Sequence, residues 1–181
     1  MSKLEPWSVP VRLSDIARQP LSRRLEPDEA VRAAIARDLD LEALPAFSAQ
    51  VTVSPWRDGA EIEGRWTARV TYRCGLTLEP FDDDIEGEFT VRAVPPTSPH
   101  AAAPESPDED APIDLELEID LEADDPPDVL EGETLDLGAY LVEHLALELE
   151  PFPRKPGAVF EPPVQAQPES PFAVLKRLKE D

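Results

Sequence analysis

Basic residues are scarce in this chain: 17 Lys and Arg stand against 39 Asp and Glu, for a formal net charge of -22. A body of that charge repels phosphate backbones and anionic lipid at long range, and it attracts basic proteins. Cysteine is scarcer still. Cys74 is the only one, so no intramolecular disulfide can form, and a reducing compartment is the natural reading. The stretch Met1-Ser2-Lys3-Leu4-Glu5-Pro6 lacks the apolar region of a signal peptide. Nor is there an apolar run of about 18 residues, the length a membrane span needs. A cytoplasmic protein with no membrane contact is expected. Glycine numbers 7 against 22 prolines, which points to stiff, extended connections. Neither GxGxxG nor GxxxxGKS/T occurs, so the two common glycine-rich phosphate cradles are excluded. With 41% hydrophobic residues in 181, the chain can bury one modest core, and some segments will lie outside it.

Residues that could carry chemistry are few. His100 lies in a Pro-rich stretch, and His144 lies beside the apolar stripe of a helix, where a packed structural histidine is the commoner case. Cys74 falls on the apolar parity of a strand between Tyr72 and Leu76, the setting of a packing cysteine, although the flanking Arg73 would favour thiolate. Asp120, Glu122, Asp124, Asp125 and Asp128 lie close in sequence, but without the EF-hand spacing or its glycine. No catalytic residue, metal ligand or cofactor is assigned, and an enzyme is not expected.

The pattern of the chain is α+β. Trp7, Val9, Val11 and Leu13 alternate as an opening strand. Residues 27–43 have helical spacing, with Pro27 at the start and Val31, Ile35 and Leu39 on one stripe. Strands are expected at 47–56, 60–79 and 85–93. Asp58-Gly59 is the first hairpin turn, Gly64 a bend or bulge, and 79–84 the second turn. Ile113, Leu115, Leu117, Ile119 and Leu121 alternate with Asp114, Glu116, Glu118, Asp120 and Glu122, which predicts a strand with one acidic face. Val129 and Leu130 allow a further short strand. Asp136 caps a helix to about 149, with Leu137, Leu141, Leu145 and Leu149 on its stripe and Tyr140, His144 and Leu147 widening it. The whole predicts a curved or barrel-like antiparallel sheet packed by two main helices. This makes one domain over 1–153 with a Pro-rich acidic insert at 95–112. A Pro-rich tail over 154–181 follows, ending in a short amphipathic basic helix that carries Phe172, Leu175, Lys176 and Arg177.

Charge is segregated along the chain. No Lys or Arg occurs from 93 to 153, a stretch that carries 18 Asp and Glu. Against this, Arg65, Arg69 and Arg73 share one strand face with Thr67 and Thr71 between them. They suit either a phosphate backbone or pairing with acids such as Glu86 and Glu88 on a neighbouring strand.

Three stretches together resemble one family. The first runs Val70-Thr71-Tyr72-Arg73-Cys74-Gly75-Leu76-Thr77-Leu78-Glu79-Pro80-Phe81. The second joins the acidic strand from Ile113 to the helix that ends Leu149-Glu150-Pro151-Phe152-Pro153. The third is Arg154-Lys155-Pro156-Gly157-Ala158 with Ser170-Pro171-Phe172-Ala173-Val174-Leu175. Their order is similar to that in the YceD-like family of bacterial large-ribosomal-RNA accumulation proteins, in its proteobacterial branch. The resemblance implies a cytoplasmic factor needed for normal accumulation of 23S ribosomal RNA. Many members carry Cys-x-x-Cys in the first stretch and further cysteines in the tail, which suggests a metal. This chain has Thr71 in place of the first of those cysteines and none in its tail, so no metal is expected. The expected role is therefore a monomeric binding protein for large-subunit assembly. Its acidic face at Asp114, Glu116, Glu118, Asp120 and Glu122 holds a basic ribosomal protein or an assembly intermediate, and the tail residues Phe172, Leu175, Lys176 and Arg177 dock beside it. The alternative is direct binding of ribosomal RNA through Arg65, Arg69 and Arg73.

Overall fold

The structure, a computed structural model, describes residues 6–101 and 126–160. Its frame is a meander of three long strands, β3 (Ala43–Trp56), β4 (Gly59–Arg73) and β5 (Pro80–Val94). β2 (Leu21–Leu25) lies antiparallel to β3 on one side. On the other, β6 (Asp128–Val129) runs parallel to the end of β5, giving a five-stranded mixed sheet in the order β2-β3-β4-β5-β6. β1 (Pro10–Arg12) and β7 (Thr134–Asp136) form a separate antiparallel pair. The helices are α1 (Leu13–Ile16), α2 (Glu29–Asp38) and α3 (Leu137–Glu148). The α+β class is as expected. One feature differs: β6 makes the sheet mixed where an antiparallel one is expected, and among the described residues the sheet does not close into a barrel.

β4 shows why the sheet has one dry and one wet face. Side chains alternate across a strand, and here every second residue from Ala60 to Cys74 is buried. The dry face packs under α2, which lies on β3, and under α3, which lies on β5. Its centre is aromatic: Trp7 meets Phe47 edge-on at 5.7 Å, and Phe47 meets Trp66 at 6.1 Å. Ile35, Val51, Val53, Ile62, Val70, Leu135, Leu137, Leu141 and Leu145 complete the core. Val31, Leu39, Val91 and Leu149 are only half-buried at its margin. Leu147 is 72% exposed, so it does not widen the stripe of α3 as its spacing predicts.

Several local expectations shift. The opening strand is cut to three residues, because Leu13 turns the chain into α1. β2 falls between the expected opening strand and the expected helix: Leu21-Ser22-Arg23-Arg24-Leu25 has little apolar alternation, and pairing with β3 makes it a strand. α2 starts at an Asp28 cap, whose carboxylate accepts from the Val31 N–H, and it ends at Asp38. Asp40 then takes φ 55°, and Glu42 already bonds to Thr71 of β4. The hairpin turn is Arg57-Asp58, since Trp56 pairs with Gly59. Gly59 is needed for space and not for φ, because a Cβ there would lie 2.0 Å from the Ala93 carbonyl. Gly64 marks no bulge. The one irregularity of that ladder lies between Ala43 and Ala46, where Pro45 occupies the spare position. β5 begins at Pro80, so Asp82, Asp83 and Asp84 lie in a strand and the turn is 74–79. The expected acidic strand at 113–121 with its apolar residues Leu115, Leu117 and Ile119, most of the insert and the expected tail helix lie outside the described residues.

Candidate functional site: a charged sheet face and a closed cysteine turn

Among the described residues the face of the sheet away from α2 and α3 is mostly polar, with Trp56 at one end under Arg57 and Arg92. β2 and β3 contribute hydroxyls and amides: Ser22 meets Thr52 at 3.3 Å, Gln50 donates to Ser22 at 2.8 Å, and Ser48 meets Thr67 at 3.2 Å. β4 and β5 contribute opposed charges, because their register sets Arg65 across from Glu88, Thr67 from Glu86, Arg69 from Asp84 and Thr71 from Asp82. The three arginines expected on one face are there, and each is paired. Arg65 lies 3.4 Å from Glu88. Arg69 grips Asp84 with two bonds of 2.7 Å. Arg73 bonds Glu42, at the entry to β3. The hydrogen bond from Arg69 holds the Asp84 carboxyl below the ordinary carboxylate range. Such exposed pairs contribute little stability and are screened by salt. A shallow, open groove of about 750 Å³ runs over this face, lined in part by Arg24, Arg65, Glu86 and Glu88.

The second feature is the turn that joins β4 to β5. Cys74 is fully buried, as its parity predicts. It is more than a packing residue, because its Sγ accepts from the N–H groups of Thr77 at 3.5 Å and Lys155 at 3.4 Å. Hydrogen bonding pulls the thiol down to about 6, the Thr77 side chain first and then the backbone N–H groups of Lys155 and Thr77. Arg73 is not the cause, since it faces Glu42 on the other side of the strand. The segment after α3 closes this turn. Gly75 N–H donates to the Pro153 carbonyl at 2.9 Å, Glu150 N–H to the Tyr72 hydroxyl at 3.2 Å, and Lys155 Nζ to Glu79 at 2.8 Å. Leu78 pays for the tight turn with φ 61° and stands 70% exposed.

A metal does not fit here. Thr71 stands three residues before Cys74, and its hydroxyl bonds Asp82 on the opposite face at 2.7 Å. Among the described residues no group of three His, Cys, Asp or Glu could hold a metal ion. His144 stacks on Phe89 at 4.0 Å and 6°, and burial pushes it toward the neutral form, in keeping with a structural role. His100 is exposed. The acidic residues Asp114, Glu116, Glu118, Asp120 and Glu122, and the tail residues Phe172, Leu175, Lys176 and Arg177, lie outside the described residues. Glu86 and Glu88 lie on the wet face of β5 as expected, but the sequence reading missed that Asp82 and Asp84 continue their row. Its even spacing was the available signal, obscured by assigning 79–84 to a turn.

No helix among the described residues is long and apolar enough to cross a membrane. The family model of the large ribosomal RNA subunit accumulation protein YceD matches residues 62–179, from within β4 onward. No curated protein matches the chain, and no solved structure does.

Proposed function

The chain belongs to the family of large ribosomal RNA subunit accumulation proteins, and from that premise we propose that it acts in the cytoplasm as a non-enzymatic binding factor for large-subunit assembly, holding a basic ribosomal protein on its acidic surface. The observation that carries this is the distribution of charge: 18 acids and no Lys or Arg between 93 and 153, in a chain of net charge -22. Lys- and Arg-rich proteins destined for ribosomal RNA need shielding before they meet it, and an acidic surface steers and holds them. Asp114, Glu116, Glu118, Asp120 and Glu122 are the proposed face. Phe172 and Leu175 supply apolar anchoring that exposed carboxylates alone cannot, with Lys176 and Arg177 beside them.

Direct RNA binding through Arg65, Arg69 and Arg73 is the weaker reading. All three already face acids, so a phosphate would have to displace Glu88, Asp84 and Glu42 and then meet the net negative field. A tagged pull-down from lysate with and without RNase separates the two. Recovery of basic large-subunit proteins that survives RNase, and is lost when Asp114, Glu116, Glu118 and Asp120 become Asn or Gln, fits the proposal. Tight binding of naked 23S RNA at physiological salt, lost on neutralising the three arginines, overturns it.

A further inference from the structure

We infer that the outer edge of β5 is a docking strip on which an extended, Lys- and Arg-rich protein segment adds as a further strand. This rests on the binding reading above and gives it a second place and a backbone geometry.

The observation is an edge that no described residue pairs with along most of its length. β5 has 15 residues, and β6 covers only the end at Ala93 and Val94. Among the described residues no strand pairs with the outer side of β5 from 80 to 91. The backbone direction there can be worked out. Leu130 N–H donates to the Val94 carbonyl at 2.9 Å, so Val94 turns its peptide groups outward. Register on β4 is unbroken down the strand. In an antiparallel ladder, alternate residues turn both backbone groups toward the same neighbour. Asp82, Asp84, Glu86, Glu88 and Thr90 therefore offer their N–H and C=O groups to the open side. A strand of about six residues is enough to use such a template.

The charge selects the occupant. β5 carries Asp82, Asp83, Asp84, Glu86 and Glu88 against a single Arg92. A second copy of this strand would set acid opposite acid, which is the usual way an edge is kept from pairing with itself. A nucleic acid would add more negative charge and no strand backbone. A basic strand instead places Lys or Arg directly across from Glu86, whose opposite neighbour on β4 is the uncharged Thr67.

The test uses the full chain and a synthetic 12-residue peptide of alternating Lys and Val. Its expected binding slows amide exchange at Glu86 and Glu88. It weakens at least tenfold when Glu86→Pro removes an outward N–H that the β4 ladder does not use. The same peptide with alternate backbone N-methyl groups keeps the charge but cannot form the ladder, and it should bind at least tenfold more weakly to the unaltered chain. Equal binding of the methylated peptide overturns the inference even where Glu86→Pro does not fold. So does fast exchange at both amides in the peptide complex. Slow exchange already present in the free chain, and lost on deleting 113–121, would assign the edge to this chain's own segment and overturn it too. If the pull-down recovers basic ribosomal proteins while the peptide fails these tests, the strip is wrong and the binding reading stands. If nothing basic is recovered, both fall.

Discussion

Gly64→Ala tests the packing that joins the sheet to α3. Gly64 lies across from Phe89 in the β4–β5 ladder, and the Phe89 ring covers it. A Cβ at Gly64 would sit 2.3 Å from Phe89 Cε1 and 2.5 Å from Cζ. Carbon atoms rest at roughly 3.5–4.0 Å, so the ring must retreat by more than about 1 Å. It has little room, because its other face stacks on His144 of α3 at 4.0 Å. Overpacking of this kind costs about 1–3 kcal/mol. The lost flexibility of glycine in the unfolded chain returns about 0.5–1 kcal/mol. The net expectation is a loss of about 1–2 kcal/mol, or roughly 3–8 °C in melting temperature for a domain of this size. Circular dichroism melts and urea titrations read it. The double-mutant cycle with Phe89→Ala is the decisive part. Once the ring is gone the three nearest atoms to that Cβ go with it, so Gly64→Ala should then be neutral or mildly stabilising. A single variant as stable as the parent, or costs that simply add, would refute the reasoning.

Asp136→Ala should destabilise by about 1–2 kcal/mol or somewhat more, because its carboxylate caps Gly138 and Ala139 and also ties Ser8 and the Val9 N–H to α3; denaturant titration checks it. Cys74 should titrate near pH 6 by thiolate absorbance at 240 nm. Its folded value lies below the ordinary thiol value, so the thiolate's contribution is complete above that ordinary value and is lost as pH falls through about 6. The stability gap between the parent and Cys74→Ala should therefore widen as pH rises above about 6, and a gap that narrows would count against the N–H···S bonds. Replacing Arg69 by Gln should leave the melting temperature at high salt unchanged, because the Arg69–Asp84 pair lies on the exposed face.

The class, the alternation and the caps are local and were legible in the amino-acid order. The run from Ile62 to Cys74 shows its two faces because a strand has period two, and a solvent boundary on one side imposes that period on residue type. Asp136 was legible as a cap because a carboxylate beside the first free N–H groups of a helix acts locally. The charge map, with 18 acids and no base between 93 and 153, needs no structure at all. The remaining features depend on partners distant in sequence. Arg73 meets Glu42, not Glu86 or Glu88, because β3 and β4 bring together residues 31 apart in sequence. Cys74 gains a second backbone donor because a segment 81 residues later folds back and presents the Lys155 N–H. β2 is a strand because β3 supplies a ladder, not because Arg23 and Arg24 favour one. The acids of β5 form one row because Pro80 starts a strand where isolated prolines and aspartates signal a turn. Local preferences at such places are worth a fraction of a kcal/mol each, and long-range pairing and burial outweigh them.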